Sequence, residues 1–315
     1  MFGETIKNFH INFNARDDRN LYSCGDLITG KLSFDLTKKM TINSITLTLN
    51  GKAHVSWRRG TRKHRRVTTA NVEYFNLKNV IRVNAEDAVQ SKLPPGTHVY
   101  PFACQIPQGD FPASFKGLRG RIVYSLLVVL DRPWHRTKEY ITEFNMAPSS
   151  YTTPNYELMA PLSGTISKTL CCLWCASGPI SMNVRLARKA FLPGEDITIM
   201  CEFSNGSSRT ATPKARLVQK QMFYSQSRGH STMHTLDLDS KAGDLVDPHS
   251  SDVQSELTLT VPSDTPFTIS NCAILEVSYL IEMRLSVKRK TVLTVLCPIV
   301  IYNPPQYNVA SPPHV

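Results

Sequence analysis

Residues 182–203, MNVRLARKAFLPGEDITIMCEF, echo residues 13–34, FNARDDRNLYSCGDLITGKLSF, over 22 positions without a gap. Asn14, Arg16, Arg19, Gly25, Ile28, Thr29 and Phe34 meet Asn183, Arg185, Arg188, Gly194, Ile197, Thr198 and Phe203. Seven identities stand above the about one or two that chance gives a window of this length. Both stretches read as strand, turn and strand, with a glycine and an acid at the turn (Gly25-Asp26 and Gly194-Glu195). Glycine admits a positive φ there, and the acidic side chain bonds its own turn backbone. The chain therefore reads as two copies of one β unit, offset by 169 residues.

Outward from that repeat, apolar residues alternate with polar ones. Phe9, Ile11 and Phe13 do so, as do Leu32, Phe34 and Leu36, then Ile45, Leu47 and Leu49. The longest such runs are residues 122–130 and 275–287, with Tyr124 and Tyr279 in matching places. A period of two marks strands with one buried and one wet face. Asn50-Gly51 is a hairpin signal. Leu93-Pro94-Pro95-Gly96 is a break, and residues 111–117 form a turn packed by two aromatic rings. Residues 225–234 and 239–252 read as polar loops. No window has a clear helical period, so two β-sandwiches are the economical architecture. The boundaries expected are residues 1–150 for the first sandwich, 151–178 for a Pro/Ser/Thr/Gly-rich linker, 179–302 for the second sandwich and 303–315 for a tail.

Composition bounds the function. A chain of 315 residues, 41% hydrophobic and 19% charged, suits two globular cores and not a disordered polymer. No apolar run is long enough to span a bilayer, and residues 1–13 lack a signal-peptide core. Eight cysteines then read as reduced cytosolic thiols, and the Asn205-Gly206-Ser207 glycosylation triplet as silent. The net charge of +11 points to an anionic partner. Its densest cluster is Arg58, Arg59, Arg62, Lys63, Arg65 and Arg66, after Trp57, on what reads as a hairpin tip. Two readings stay open: a solvated loop, or a loop contacting phosphate or acidic lipid. A nucleic-acid binder would interleave stacking aromatics with the cations, and only Trp57 is near.

Other candidates are thinner. Cys171, Cys172 and Cys175 hold one C-x-x-C, short of the four ligands of structural zinc; acylation beside Trp174 and plain packing remain open. His230 and His234 have no acid or thiol joining them in a ligand pattern. No catalytic, phosphate-loop or dinucleotide motif occurs, so neither an enzyme nor a cofactor is expected. Pro304-Pro305-Gln306-Tyr307 is the sharpest short motif. Two prolines pre-form an extended left-handed helix that fits a WW-domain groove, with Tyr307 for the next pocket. The bland reading is a proline stop after the last strand.

Taken as a set, Tyr22-Ser23-Cys24-Gly25-Asp26 with Ile28 and Gly30, Leu93-Pro94-Pro95-Gly96, residues 111–117 and 171–181, Pro193-Gly194-Glu195 and Asn205 resemble the arrestin-domain-containing proteins, the α-arrestin family. The resemblance implies an all-β fold of two tandem immunoglobulin-like arrestin β-sandwich domains, without catalysis. It implies a cytosolic trafficking adaptor, recruited to plasma membrane and endosomes, that binds membrane receptor or transporter cargo. It further implies that Pro304, Pro305 and Tyr307 recruit a WW-domain HECT ubiquitin ligase, so that cargo is ubiquitinated and internalised. Family tails usually carry more than one such motif, whereas eight residues follow Tyr307 here, so avidity from a second motif is not expected. The family's thioredoxin-binding member uses a cysteine in the second-domain loops. Residues 225–252 hold none, so thioredoxin is not expected as a partner, nor is nucleic acid.

Overall fold

The computed structural model describes residues 5–14, 21–60, 64–81, 91–148, 156–172, 175–287 and 290–303. The chain divides into two compact units. The first is Met1–Ser149 with the short segments Tyr224–His230 and Asn271–Ile274; the second is Ser150–Phe223, Ser231–Ser270 and Leu275–Val315.

In the first unit one sheet joins β1 (Ile6–Phe13), β3 (Leu27–Leu36) and β8 (Gly96–Gln105). The other runs β2 (Leu21–Tyr22), β11 (Lys138–Met146), β10 (Gly120–Asp131), β5 (Ser44–Arg59), β6 (Arg66–Ile81), with β9 (Phe115–Lys116) beside β10. Strands β4 (Met40–Ile42) and β7 (Ser91–Leu93) pair with each other. The alternation in β10 buries Ile122, Tyr124, Leu126, Val128 and Leu130, all 1% exposed or less. On β3 of the other sheet, Ile28, Leu32 and Phe34 are equally dry.

The second unit repeats the plan. One sheet is β12 (Leu162–Cys172), β13 (Cys175–Leu186), β15 (Asp196–Asn205), β18 (Ser250–Thr260). The other is β14 (Ala190–Phe191), β20 (Lys290–Ile301), β19 (Leu275–Val287), β16 (Ala211–Tyr224), β17 (Ser231–Ala242). The one helix among the described residues, α1 (Tyr156–Met159), is a single turn.

The two copies match in detail. Gly25 and Gly194 sit at φ of 79° and 86°. The Asp26 carboxylate accepts from the Ser23 N–H, and that of Glu195 from the Leu192 N–H. A two-residue strand before each turn lies parallel to the last strand of its half: Tyr22 beside Met146, Phe191 beside Ile301. Buried Tyr124 donates to the Pro112 carbonyl at 2.7 Å, and buried Tyr279 to that of Pro266 at 2.6 Å. Burial pushes both phenol pKa values up, so both hydroxyls remain donors at neutral pH. Such tyrosine corners tie a strand to the chain upstream.

Three expectations need correction. Asn50-Gly51 is not a turn, because β5 runs unbroken from Ser44 to Arg59. A Cβ on Gly51 would meet the Tyr124 ring at 2.8 Å and the Phe75 ring at 2.9 Å, and the pairing with β6 shifts register there. Glycine inside a strand marks such a close approach or a bulge. Gly51→Ala should therefore lower unfolding stability by about 1–3 kcal/mol. A denaturant titration checks it, and an unchanged midpoint would refute the packing argument.

The expected linker, residues 151–178, instead contains all of β12 and the start of β13, which form a hairpin. Its Ser, Thr and Gly content reflects an edge strand, and Gly164 lies where a Cβ would strike Val295 at 2.6 Å. The polar loops expected after residue 225 contain β17, an edge strand with little burial on either face. Strands wet on both faces lose the alternation that reveals them, and charges on an edge oppose stray pairing.

Candidate anion-contacting tip

The cationic cluster lies on the β5–β6 hairpin. Trp57 is its last buried side chain, 7% exposed; beyond it Arg58, Arg59, Arg65 and Arg66 are exposed. The register sets Arg59 directly opposite Arg66. Like charges facing across a ladder destabilise the pair, so an anion between them would relieve a built-in repulsion. None of Arg58, Arg59, Arg65 and Arg66 forms an ion pair among the described residues. Gly60, at φ of 96°, closes the turn where a Cβ would collide with the His64 carbonyl. Arg62 and Lys63, the other two cations of the cluster, lie outside the described residues.

Period two carries the charge further than the cluster alone suggests. Lys52, His54, Ser56 and Arg58 share the outer face of β5. Arg121 of β10 stands opposite His54. Lys52, His54, Asn71, Arg121 and Glu143 line a shallow cleft of about 270 Å³. There His54 Nδ1 lies 2.7 Å from Asn71 Oδ1, and Lys116 donates to Glu143 at 2.6 Å. The β5 half of this lane was available from alternation. Arg121 was not, because nothing local announces which later strand will lie beside β5.

Among the described residues the other sequence candidates form no cluster of three or more metal-ligating side chains. Cys172 and Cys175 are opposed residues closing the β12–β13 hairpin. His230 belongs to the first unit and His234 to β17 of the second. Burial pushes the thiols of Cys104, Cys201 and Cys297 up, Cys201 to about 12, which keeps them protonated and poorly nucleophilic. Pro304, Pro305 and Tyr307 lie outside the described residues. No described helix is long and apolar enough to cross a membrane.

Comparison with known proteins agrees with this geometry. Residues 9–150 match the family described as Arrestin (or S-antigen), N-terminal domain, and residues 176–306 match Arrestin (or S-antigen), C-terminal domain. Arrestin domain-containing protein 4 of Homo sapiens is 28% identical over 290 residues, covering 90% of this chain and 68% of that protein. Thioredoxin-interacting protein of Sus scrofa is 27% identical over 301 residues, covering 94% of this chain and 74% of that protein. With both arrestin domains matched in order and the duplicated turns, parallel strand pairs and tyrosine corners in place, the chain belongs to the α-arrestin family.

Proposed function

We propose that this chain is a non-catalytic cytosolic trafficking adaptor that binds membrane-protein cargo and brings a WW-domain HECT ubiquitin ligase to it. Membership of the arrestin family supports the adaptor class. The observation that carries the binding role is the Arg59–Arg66 opposition on the β5–β6 hairpin beyond Trp57, with no acid paired to it among the described residues. Arg58, Arg59, Arg62, Lys63, Arg65 and Arg66 then receive an anionic partner, a phosphorylated cargo segment or an acidic headgroup. Pro304, Pro305 and Tyr307 dock the ligase, and binding places the protein at plasma membrane and endosomes. Thioredoxin is not a partner in this reading, although one relative's name describes such an interaction, because residues 225–252 contain no cysteine.

The experiment is capture of the full chain on an immobilised WW domain. Tyr307→Ala should weaken capture by about 2 kcal/mol, some thirtyfold. Equal capture of both proteins would remove the ligase from the proposal.

A further inference from the structure

The β10–β11 hairpin ends in Arg132-Pro133-Trp134-His135-Arg136-Thr137. Trp134 is 100% exposed, an extreme for the largest apolar side chain. Its φ is +62°, a left-handed backbone that bulky residues rarely adopt. The tip is nonetheless a built loop. Arg132 Nη2 donates to the Arg136 carbonyl at 2.9 Å, and His135 Nδ1 lies 2.8 Å from the Pro133 carbonyl. Strain of this kind persists where surrounding bonds hold it, and it gathers at functional positions. Its result here is an indole held in water.

Charge says what the indole meets. Residues 132–137 contain two arginines and a histidine but no acid, and Lys138 follows. The nearest preceding acid, Asp131, accepts from Asn43 Nδ2 at 3.2 Å. Exposed Lys38 and Lys39 stand on the turn into β4, which leads to Asn43, whose N–H bonds the Asp131 carbonyl at 2.9 Å. An exposed hairpin tip bearing tryptophan among cations fits the interface of an anionic bilayer: the ring rests at headgroup depth while the cations meet the lipid charge.

We propose that the 132–137 tip is a membrane-interface anchor, with Trp134 as its inserting ring and Arg136 its headgroup contact. It is separate from the arginine tip. The register places Asp131 beside Ser44 and Gly120 beside Val55, so the two tips cap opposite ends of β5. A strand of 16 residues is about 50 Å long.

The test is partition of the full chain onto phosphatidylcholine vesicles with and without phosphatidylserine. The chain should bind the phosphatidylserine vesicles. Trp134→Ala should bind them about tenfold more weakly, and Arg136→Gln about fivefold. Brominated acyl chains should quench wild-type emission and not that of Trp134→Phe. Trp134→Gly separates anchoring from folding, since glycine accepts the positive φ: its unfolding midpoint should hold or rise while binding falls. Equal partition of wild type and Trp134→Ala, or no wild-type binding to either vesicle, overturns the proposal.

Discussion

Asn205→Ala should destabilise the second unit by about 4–6 kcal/mol, most of an ordinary domain's margin. Asn205 is 0% exposed. Its amide nitrogen faces the carbonyls of Arg209, Val246 and Asp247 at 2.8, 3.1 and 3.0 Å. Its oxygen accepts from the Ser207 N–H at 3.2 Å and hydroxyl at 2.7 Å. One side chain thus holds the end of β15, the turn after it and the segment before β18. Alanine would delete all of these bonds at once: each of the three carbonyls keeps one other donor, the Ser207 hydroxyl, the Ala211 N–H or the Ser250 hydroxyl, but the buried Ser207 N–H loses the Asn205 oxygen. Chemical denaturation followed by circular dichroism reads the effect; a shift below about 1 kcal/mol would show that water replaces the amide. The same burial puts the amide nitrogen that a glycan would need inside the fold.

The second large effect concerns the arginine tip. Replacing Arg58, Arg59, Arg65 and Arg66 by glutamine should weaken binding to a multiply phosphorylated peptide by about a thousandfold at low salt, at about 1 kcal/mol per cation. Wild-type affinity should fall steeply as salt rises, since screening shortens to about 10 Å near 0.1 M. Folding should not suffer, because the substitutions remove the repulsion of Arg59 and Arg66 and no ion pair described for these residues. A salt-independent affinity, or a variant that binds as wild type, would return the cluster to a solvated loop.

How far the sequence reached depended on whether the deciding contact was local. The Gly25 and Gly194 turns were legible because a positive φ and an acid at the next position are properties of a few neighbouring residues. Strands buried on one face, such as β10 and β19, announced themselves by alternation. Edge strand β17 did not, because little of either face is buried, and β12 hid its alternation because its inward positions Gly164 and Ile166 are only half-buried. Gly51 misled for the opposite reason: its meaning is the Tyr124 ring, 73 positions later, and no local rule contains that ring. At the candidate site the cations were plain in the sequence. Their opposition across the ladder, and Arg121 beside them, required a register. Trp134 was passed over entirely, since exposure is a property of the fold alone.

The parallel pairing of a short early strand with the last strand of each half has a consequence for biosynthesis. Leu21–Tyr22 finds its neighbour only when Asn145–Met146 arrives, and Ala190–Phe191 only when Val300–Ile301 does. Neither lobe can close while the ribosome still holds its final strand, so each half must wait as an unfinished sheet with an open seam. Asn145–Met146 can seal the first pair while later residues are still being made, whereas the second pair stays open until Val300–Ile301 has emerged.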